Sequence, residues 1–158
     1  MVNTKVTLSG WELDNPVIPA SGTFGYGREF ASLYPLDMLG TFSFKGTTVS
    51  PRNPTPRIAE WDAGIINSIG LQNPGMEHVL EHELPEMKEY FHKKVIANVS
   101  GFSVDEYVTL CERFGREEQV GILEVNVSCP NVRAGGMAHG TSCENVYAIA
   151  KAVKNVTD

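Results

Sequence analysis

Cys129 lies in the run EVNVSCPN (124–131), between Asn126 and Asn131, where a strand-like stretch gives way to proline. A thiol there can ligate a metal, attack a substrate, form a disulfide or carry a proton. Metal binding needs further Cys or His ligands at suitable spacing, and none lies nearby. Nucleophilic catalysis needs a base beside the thiol, and only His139 is at all close in sequence. Three cysteines (Cys111, Cys129, Cys143) with no CxxC pair fit a reducing cytosol better than a disulfide framework. An ordinary thiol, titrating near about 8.5, serves as a general base close to neutral pH, so proton abstraction demands the fewest missing partners. The alternative is inert packing, which is common for free cysteine. Cys111, on an apolar helix face, reads that way, and Cys143 has no evident partner.

The segment that carries Cys129 is one of several strands. VTLSGWEL suggests an N-terminal hairpin, NPVIPA (15–20) a short strand, LGTFSFKG (39–46) a second, KKVIANVSG (93–101) a third and VGILEVNVS (120–128) a fourth. A helical segment begins near Met76, with Leu80, Leu84, Met87 and Phe91 at helical spacing, and Pro85 must break it, kink it or start a second helix. S-V-D-E places Ser103 as N-cap with Glu106 three residues on, opening a helix whose apolar face is Val104, Tyr107, Val108, Cys111 and Phe114. T-S-C-E repeats the device with Thr141 and Glu144, ahead of a helix with Val146, Ile149, Ala150 and Val153 facing inward. Alternating strands and helices mean parallel strands with crossover helices, an α/β fold.

Side chains alternate faces along a strand. Thr41, Ser43 and Lys45 oppose Phe42 and Phe44; Ile96, Asn98 and Ser100 oppose Val95, Ala97 and Val99; Glu124, Asn126 and Ser128 oppose Val125 and Val127. In an open sheet, helices cover both faces and each unpaired buried polar group costs about 1–3 kcal/mol. A (β/α)8 TIM barrel resolves the conflict, because inward faces near the C-terminal rim line the ligand site. Lys45, Asn98 and Asn126 are then expected to converge, joined by Asn67 and Ser68 of NSIGLQNPG. The competing reading is a set of hydrogen-bonded core polar residues without a ligand. One cation, several amides and one thiol suit a flat imide or pyrimidine bearing an anionic group.

Other classes are disfavoured. A net charge of −6 with scattered Lys and Arg lacks the basic surface that nucleic acid or an anionic membrane requires. No apolar run approaches a membrane span, and MVNTKVTLSGW resembles neither a secretory signal nor a transit peptide, so a cytoplasmic location is expected. His78-Val-Leu-Glu81-His82 fits a zinc-hydrolase pattern, but both histidines fall opposite Leu80 on the solvent side of a helix. GTFGYG (22–27) is glycine-rich without matching a dinucleotide or P-loop order. No metal site is expected.

NPVIPASGTFGYG, FSFKGTT, NSIGLQNPG, IANVSG and EVNVSCPN, in that order over essentially the whole chain, resemble class 1 dihydroorotate dehydrogenase, most closely its NAD-linked type 1B catalytic subunit. The resemblance implies a (β/α)8 barrel holding FMN at its C-terminal rim and oxidising dihydroorotate to orotate in pyrimidine biosynthesis. It implies Cys129 as the base for the C5 proton, with Lys45 and Asn126 touching both FMN and substrate. Ala20, Ser21, Gly46 and Asn98 would lie along the flavin, and Asn67, Ile69, Gly70, Leu71, Gln72, Asn73 and Asn131 around the substrate. NVRAGGMAHG resembles a loop covering the site. The implied partner is an electron-transfer subunit with FAD and a 2Fe-2S cluster, which three scattered cysteines cannot hold here, in a homodimer within a heterotetramer.

A complete barrel takes about 250 residues. The 158 residues are thus expected to form the first four strand-helix units, the N-terminal half of one FMN-binding domain spanning 1–158. In the family the other half supplies a flavin-contacting lysine and the glycine-rich segments for the FMN phosphate. Two alternatives to dihydroorotate oxidation stand beside it: a sibling flavin oxidoreductase on another pyrimidine, and a non-catalytic half-barrel.

Overall fold

The computed structural model describes residues 2–53, 57–129 and 137–157. Val6–Leu8 (β1) and Trp11–Leu13 (β2) form the expected antiparallel hairpin. Its turn residues Ser9 and Gly10 both have positive φ, 49° and 81°, the geometry whose twist suits a two-residue hairpin loop. The Trp11 ring lies against the start of a later strand: a Cβ on Gly121 would stand 2.7 Å from two of its ring carbons.

Residues 15–20, expected as a strand, bend at Asn15 and Pro16 and form no regular strand. Val17 and Pro19 offer carbonyls to the N–H groups of Gly40 (3.1 Å) and Ser43 (3.0 Å). Pro19 has no N–H to return and the Val17 N–H donates to Asn15 Oδ1 at 3.0 Å, so the pairing stays one-sided. A short helix Arg28–Ala31 (α1) and a 3₁₀ turn Leu36–Met38 lead into the next extended stretch.

That stretch, expected as a strand over 39–46, pairs in parallel at Ser43 with Ile96 and at Thr47 with Val99, but not continuously. Between these two bridges one segment advances four residues and the other three, so the register shifts, while the Lys45 N–H on the opposite edge donates to the carbonyl of Gly25 at 2.9 Å. Ile58–Trp61 (β3) and Gly64–Asn67 (β4) then form an antiparallel hairpin inside the proline-rich connection, an element the sequence reading did not include. Met76–His78 (α2), a π-helical turn Val79–Glu83 and Leu84–Met87 (α3) follow. Pro85 explains the interruption. It lacks an N–H and would crowd the carbonyl four residues back, so the turn widens and the Leu84 N–H donates to Val79 instead.

Val95–Val99 (β5) and Val120–Val125 (β6) pair in parallel, with a register irregularity beside Gly121. Between them Val104–Gly115 (α4) starts at Ser103, whose hydroxyl accepts from the Glu106 N–H at 3.2 Å, while Glu106 accepts from the Phe102 N–H at 2.8 Å. Met137–Gly140 (α5) and Cys143–Lys154 (α6) complete the described chain. The α6 cap is Ser142, which accepts from the Asn145 N–H at 3.3 Å, one residue later than Thr141. Only Ile149 and Val153 of its expected inward stripe are buried; Val146 and Ala150 are exposed.

Phe42, Phe44, Val95, Ala97 and Val99 project from one sheet face into a core with Val79, Leu84, Met87, Phe91, Tyr107, Leu110, Cys111 and Phe114. Phe42 meets Phe91 with ring centroids 5.0 Å apart, and Phe44 meets Phe114 at 5.6 Å. Each such fully buried side chain contributes roughly 1.5–3 kcal/mol. Ser43, Asn98 and Glu124 occupy the other face. Strands with helices packed on one side and a polar stripe on the other are consecutive units of a (β/α) barrel.

Candidate active site

The two faces make different uses of the same strands, and the polar one ends in a hydrogen-bonded chain. The Glu124 carboxylate oxygen Oε2 accepts from Ser43 Oγ and from Asn98 Nδ2, both at 2.6 Å. Asn98 Oδ1 accepts from Asn126 Nδ2 at 3.1 Å. Asn126 Oδ1 in turn accepts from the backbone N–H and the hydroxyl of Ser128, both at 3.2 Å. Asn98 is buried and Asn126 half-buried. Of the residues expected to converge, Asn98 and Asn126 are bonded directly in this chain, which runs up to the residue before Cys129, whereas Ser68, like Asn67, is exposed.

Asn126 is placed by its backbone as well. Its N–H donates to Val99 at 2.8 Å, continuing the β5–β6 ladder past Val125. Its carbonyl accepts from the Tyr107 hydroxyl at 2.7 Å. Tyr107 is fully buried, and burial, the largest cause, raises its phenol above the ordinary value. In the sequence it reads as one more apolar face position of α4, so its polar role was missed. An aromatic with a polar tip on an otherwise apolar stripe is the available signal.

Gly46 sits where three segments meet. A Cβ there would lie 2.7 Å from Asn98 Oδ1, 3.5 Å from Leu71 Cδ2 and 3.6 Å from Asn126 Nδ2. Lys45, beside it, is half-buried. Burial is the main influence on its ammonium group and lowers its pKa, while the nearby Cys129 thiol pulls the other way. Lys45 lines a cleft of about 710 Å³ with Tyr26, Arg52, Gln72, Asn73 and Glu83. Tyr26, from the glycine-rich loop, lines the same cleft, and burial pushes its phenol up to about 12.

The NSIGLQNPG segment enters from the side. Gly70 and Leu71 have positive φ, 55° and 60°. For Leu71 this is a strained conformation, retained because the side chain is buried and its neighbours are tied down. Arg52 Nε donates to the Gly70 carbonyl at 3.0 Å, and the guanidinium lies 4.7 Å from the Phe102 ring centre. Asn73 does most of the tying. Its Oδ1 accepts from the Thr48 and Gly75 N–H groups at 3.2 and 2.8 Å, and its Nδ2 donates to Thr48 Oγ1 and the Leu71 carbonyl at 2.8 and 2.7 Å. All four hydrogen-bonding capacities of that amide are consumed. Asn73 thus anchors the loop while also lining the cleft beside Gln72.

The remaining expected residues are distributed around this centre. Gln72 lines the cleft and accepts from Arg57 Nη1 at 2.5 Å. Ile69 is half-buried and Gly70 buried, while Asn67 closes the β3–β4 hairpin opposite Ile58 on an exposed surface. Ala20 is exposed, its carbonyl accepting from Thr23 Oγ1 at 2.9 Å, and Ser21 is half-buried. Cys129 is a free, half-buried thiol whose carbonyl accepts from the Met137 N–H at 3.0 Å. Asn131 and the rest of NVRAGG lie outside the described residues. Glu124 was recognised only as part of a stripe, although a carboxylate two residues before Asn126 on the same face was the clue. His78 and His82 are exposed, with ring centres 4.6 Å apart. Among the described residues no helix is long and apolar enough to cross a membrane.

A family profile described as dihydroorotate dehydrogenase matches residues 3–158. A Bacillus pumilus protein named "Dihydroorotate dehydrogenase B (NAD(+)), catalytic subunit" is 54% identical over 155 residues, covering 97% of this chain and 50% of its own length. Proteins of the same name from Listeria monocytogenes serotype 4a and Malacoplasma penetrans are 51% and 47% identical, covering 99% and 97% of this chain and 52% and 50% of their own lengths. Two crystal structures of DHODH from Eimeria tenella, one with ferulenol and one ligand-free, share the fold with TM-scores of 0.70 and 0.71 at 22% identity. They match 97% of this chain and 43% and 45% of theirs. The chain thus spans about half the length of the relatives it matches. It belongs to the dihydroorotate dehydrogenase family.

Proposed function

We propose that the complete protein, of which residues 1–158 form the N-terminal half of a single FMN-binding barrel domain, oxidises dihydroorotate to orotate in pyrimidine biosynthesis. The observation that carries this reading is the meeting of Lys45, Gly46, Asn98, Leu71 and Asn126 at one strand rim, next to the Cys129 segment. These residues fit FMN. A side chain at position 46 would collide with Asn98, so glycine is what lets this backbone, with Lys45 beside it, approach the Asn98–Asn126 pair so closely. Ser100 Oγ, on the Asn98 face, is buried without a partner among the described residues, an acceptor or donor left for a ligand. Ala20, Ser21, Lys45, Gly46, Asn98 and Asn126 would hold the flavin.

When bound, FMN supplies the acceptor for the hydride that leaves C6 of dihydroorotate. Cys129 Sγ takes the proton from C5, so that two C–H bonds break and the C5=C6 double bond forms. Lys45 supplies the cation for the substrate carboxylate, and desolvation strengthens that attraction. Asn67, Gln72 and Asn126 present amides to the pyrimidine edge, while Ile69, Gly70 and Leu71 shape its wall, with Asn131 completing the set. The names of the relatives support a type 1B assignment: a catalytic subunit working with a partner that carries FAD and a 2Fe-2S cluster and delivers electrons to NAD. A homodimer within a heterotetramer, in the cytoplasm, fits this reading.

The test is anaerobic addition of dihydroorotate to the flavin-loaded complete protein, with loss of oxidised-flavin absorbance as readout. Rapid bleaching in wild type, slowed at least about 100-fold in Cys129→Ala, is expected for removal of a general base. Absence of bleaching with FMN bound would transfer the protein to another substrate.

A further inference from the structure

We propose that Glu124 is a positioning residue for this site: it sets the orientation of the Asn98 and Asn126 amides and, through them, the backbone that leads to Cys129. The inference rests on the proposed reaction for its functional part and on geometry for its structural part.

An ionised carboxylate only accepts hydrogen bonds. Asn98 must therefore turn its Nδ2 toward Glu124 Oε2, 2.6 Å away, and its Oδ1 toward Asn126. Asn126 then has one consistent choice, donating Nδ2 to Asn98 at 3.1 Å and offering Oδ1 to the Ser128 N–H and hydroxyl. The direction of every amide is thus dictated from one end. An amide alone is nearly symmetric in shape and can flip, which would place two NH₂ groups face to face. Glu124 removes that freedom with charge-assisted bonds, the stronger kind. Ser43 Oγ, donating to the same oxygen at 2.6 Å, fixes the carboxylate from the extended segment on the far side of β5. Glu124 itself is exposed, whereas Asn98 and Ser43 are both 3% exposed, so water competes little for their side of the chain. Three strands are joined at one atom, and the residue supplying it belongs to none of the ligand-contacting sets.

The test uses the complete flavoprotein carrying Glu124→Met, Glu124→Gln, Asn98→Ala and the Glu124→Met/Asn98→Ala pair. Three readouts are taken: flavin bleaching by dihydroorotate, the difference spectrum produced by orotate on the oxidised flavin, and the thermal midpoint without substrate. Glu124→Met is expected to slow bleaching about 10- to 100-fold, the scale of a misplacement of up to about 1 Å. It should also weaken the orotate spectrum. Glu124→Gln keeps an acceptor oxygen but loses the charge and the accept-only character, so it is expected to fall between wild type and Glu124→Met. In the Asn98→Ala background Glu124→Met should add no further slowing, and the two midpoint shifts should be less than additive. Equal losses for Met and Gln, or full slowing by Glu124→Met without Asn98, would overturn the proposal. If wild type fails to bleach at all, the proposed reaction falls, while the midpoint cycle still decides whether Glu124 acts through Asn98.

Discussion

Tyr107→Phe isolates how much the site depends on a residue that touches no ligand. The substitution keeps the ring among Leu110, Cys111 and Phe114 and removes only the hydroxyl that donates to the Asn126 carbonyl at 2.7 Å. Loss of an ordinary hydrogen bond costs about 0.5–1.5 kcal/mol, and a buried acceptor left without a donor up to about 3. Asn126 is half-buried, so water partly replaces the phenol and about 1–2 kcal/mol is expected. The Asn126 N–H to Val99 bond survives, which limits the displacement to tenths of an ångström. Bleaching by dihydroorotate should then slow by about three- to tenfold, well short of the roughly 100-fold that a 1 Å shift can cost. Urea unfolding of the complete flavoprotein measures the first quantity and anaerobic stopped flow the second. Because burial raises the folded phenol's pKa, both folded and unfolded states keep the proton well below about pH 10, and the stability gap should be flat from about pH 6 to 9. Above that range the unfolded tyrosine ionises first, so this residue's contribution falls as pH rises. A variant as stable as wild type refutes the energetic argument. A stability loss with unchanged bleaching refutes the idea that this bond positions Asn126 for chemistry.

Two glycine substitutions should separate the ends of the strands. Gly46→Ala places a methyl 2.7 Å from Asn98 Oδ1 and is expected to reduce FMN affinity and bleaching by about tenfold or more, whereas Gly121→Ala drives a methyl into the Trp11 ring and should lower the melting temperature with FMN affinity unchanged. Equal effects on flavin binding would contradict the assignment of opposite roles. Alkylation of native protein by iodoacetamide near pH 8, read by peptide mass spectrometry, should modify exposed Cys143 readily and leave Cys111 untouched. Cys111 is fully buried, with its thiol pushed up to about 11 by burial.

The parallel units were legible because their apolar faces alternate cleanly. Val95, Ala97 and Val99 announce a core face, and the capping box at Ser103 announces the helix that covers it. The β3–β4 hairpin was not legible. Ile58, Trp61, Ile65 and Ile66 are all more than half exposed, so the segment has no buried face whose period of two could mark it as a strand. The α6 stripe was read too wide for a related reason. Packing against α4 engages a single i, i+4 ridge, Ile149 and Val153, and a sequence does not state how broad a neighbour's contact will be. At the site, residue type was readable and direction was not. Asn73 and Asn98 look alike in the sequence, yet one spends its whole amide on its own loop and the other faces the strand rim.

That distinction follows from where each amide finds its partners. Asn73 bonds within the loop and to Thr48, so its role could be served on any scaffold that makes the same turn. Asn98 bonds to Glu124 and Asn126 on the adjacent strand, and those contacts exist only because Asn98 pairs in register with Glu124 and Val99 with Val125. The same register sets Val95, Ala97 and Val99 against the helices. A one-residue slip would exchange the two faces and lose core and site together. Substitutions on the even positions of β5 therefore report on the site with the core intact, while those on the odd positions cannot separate the two.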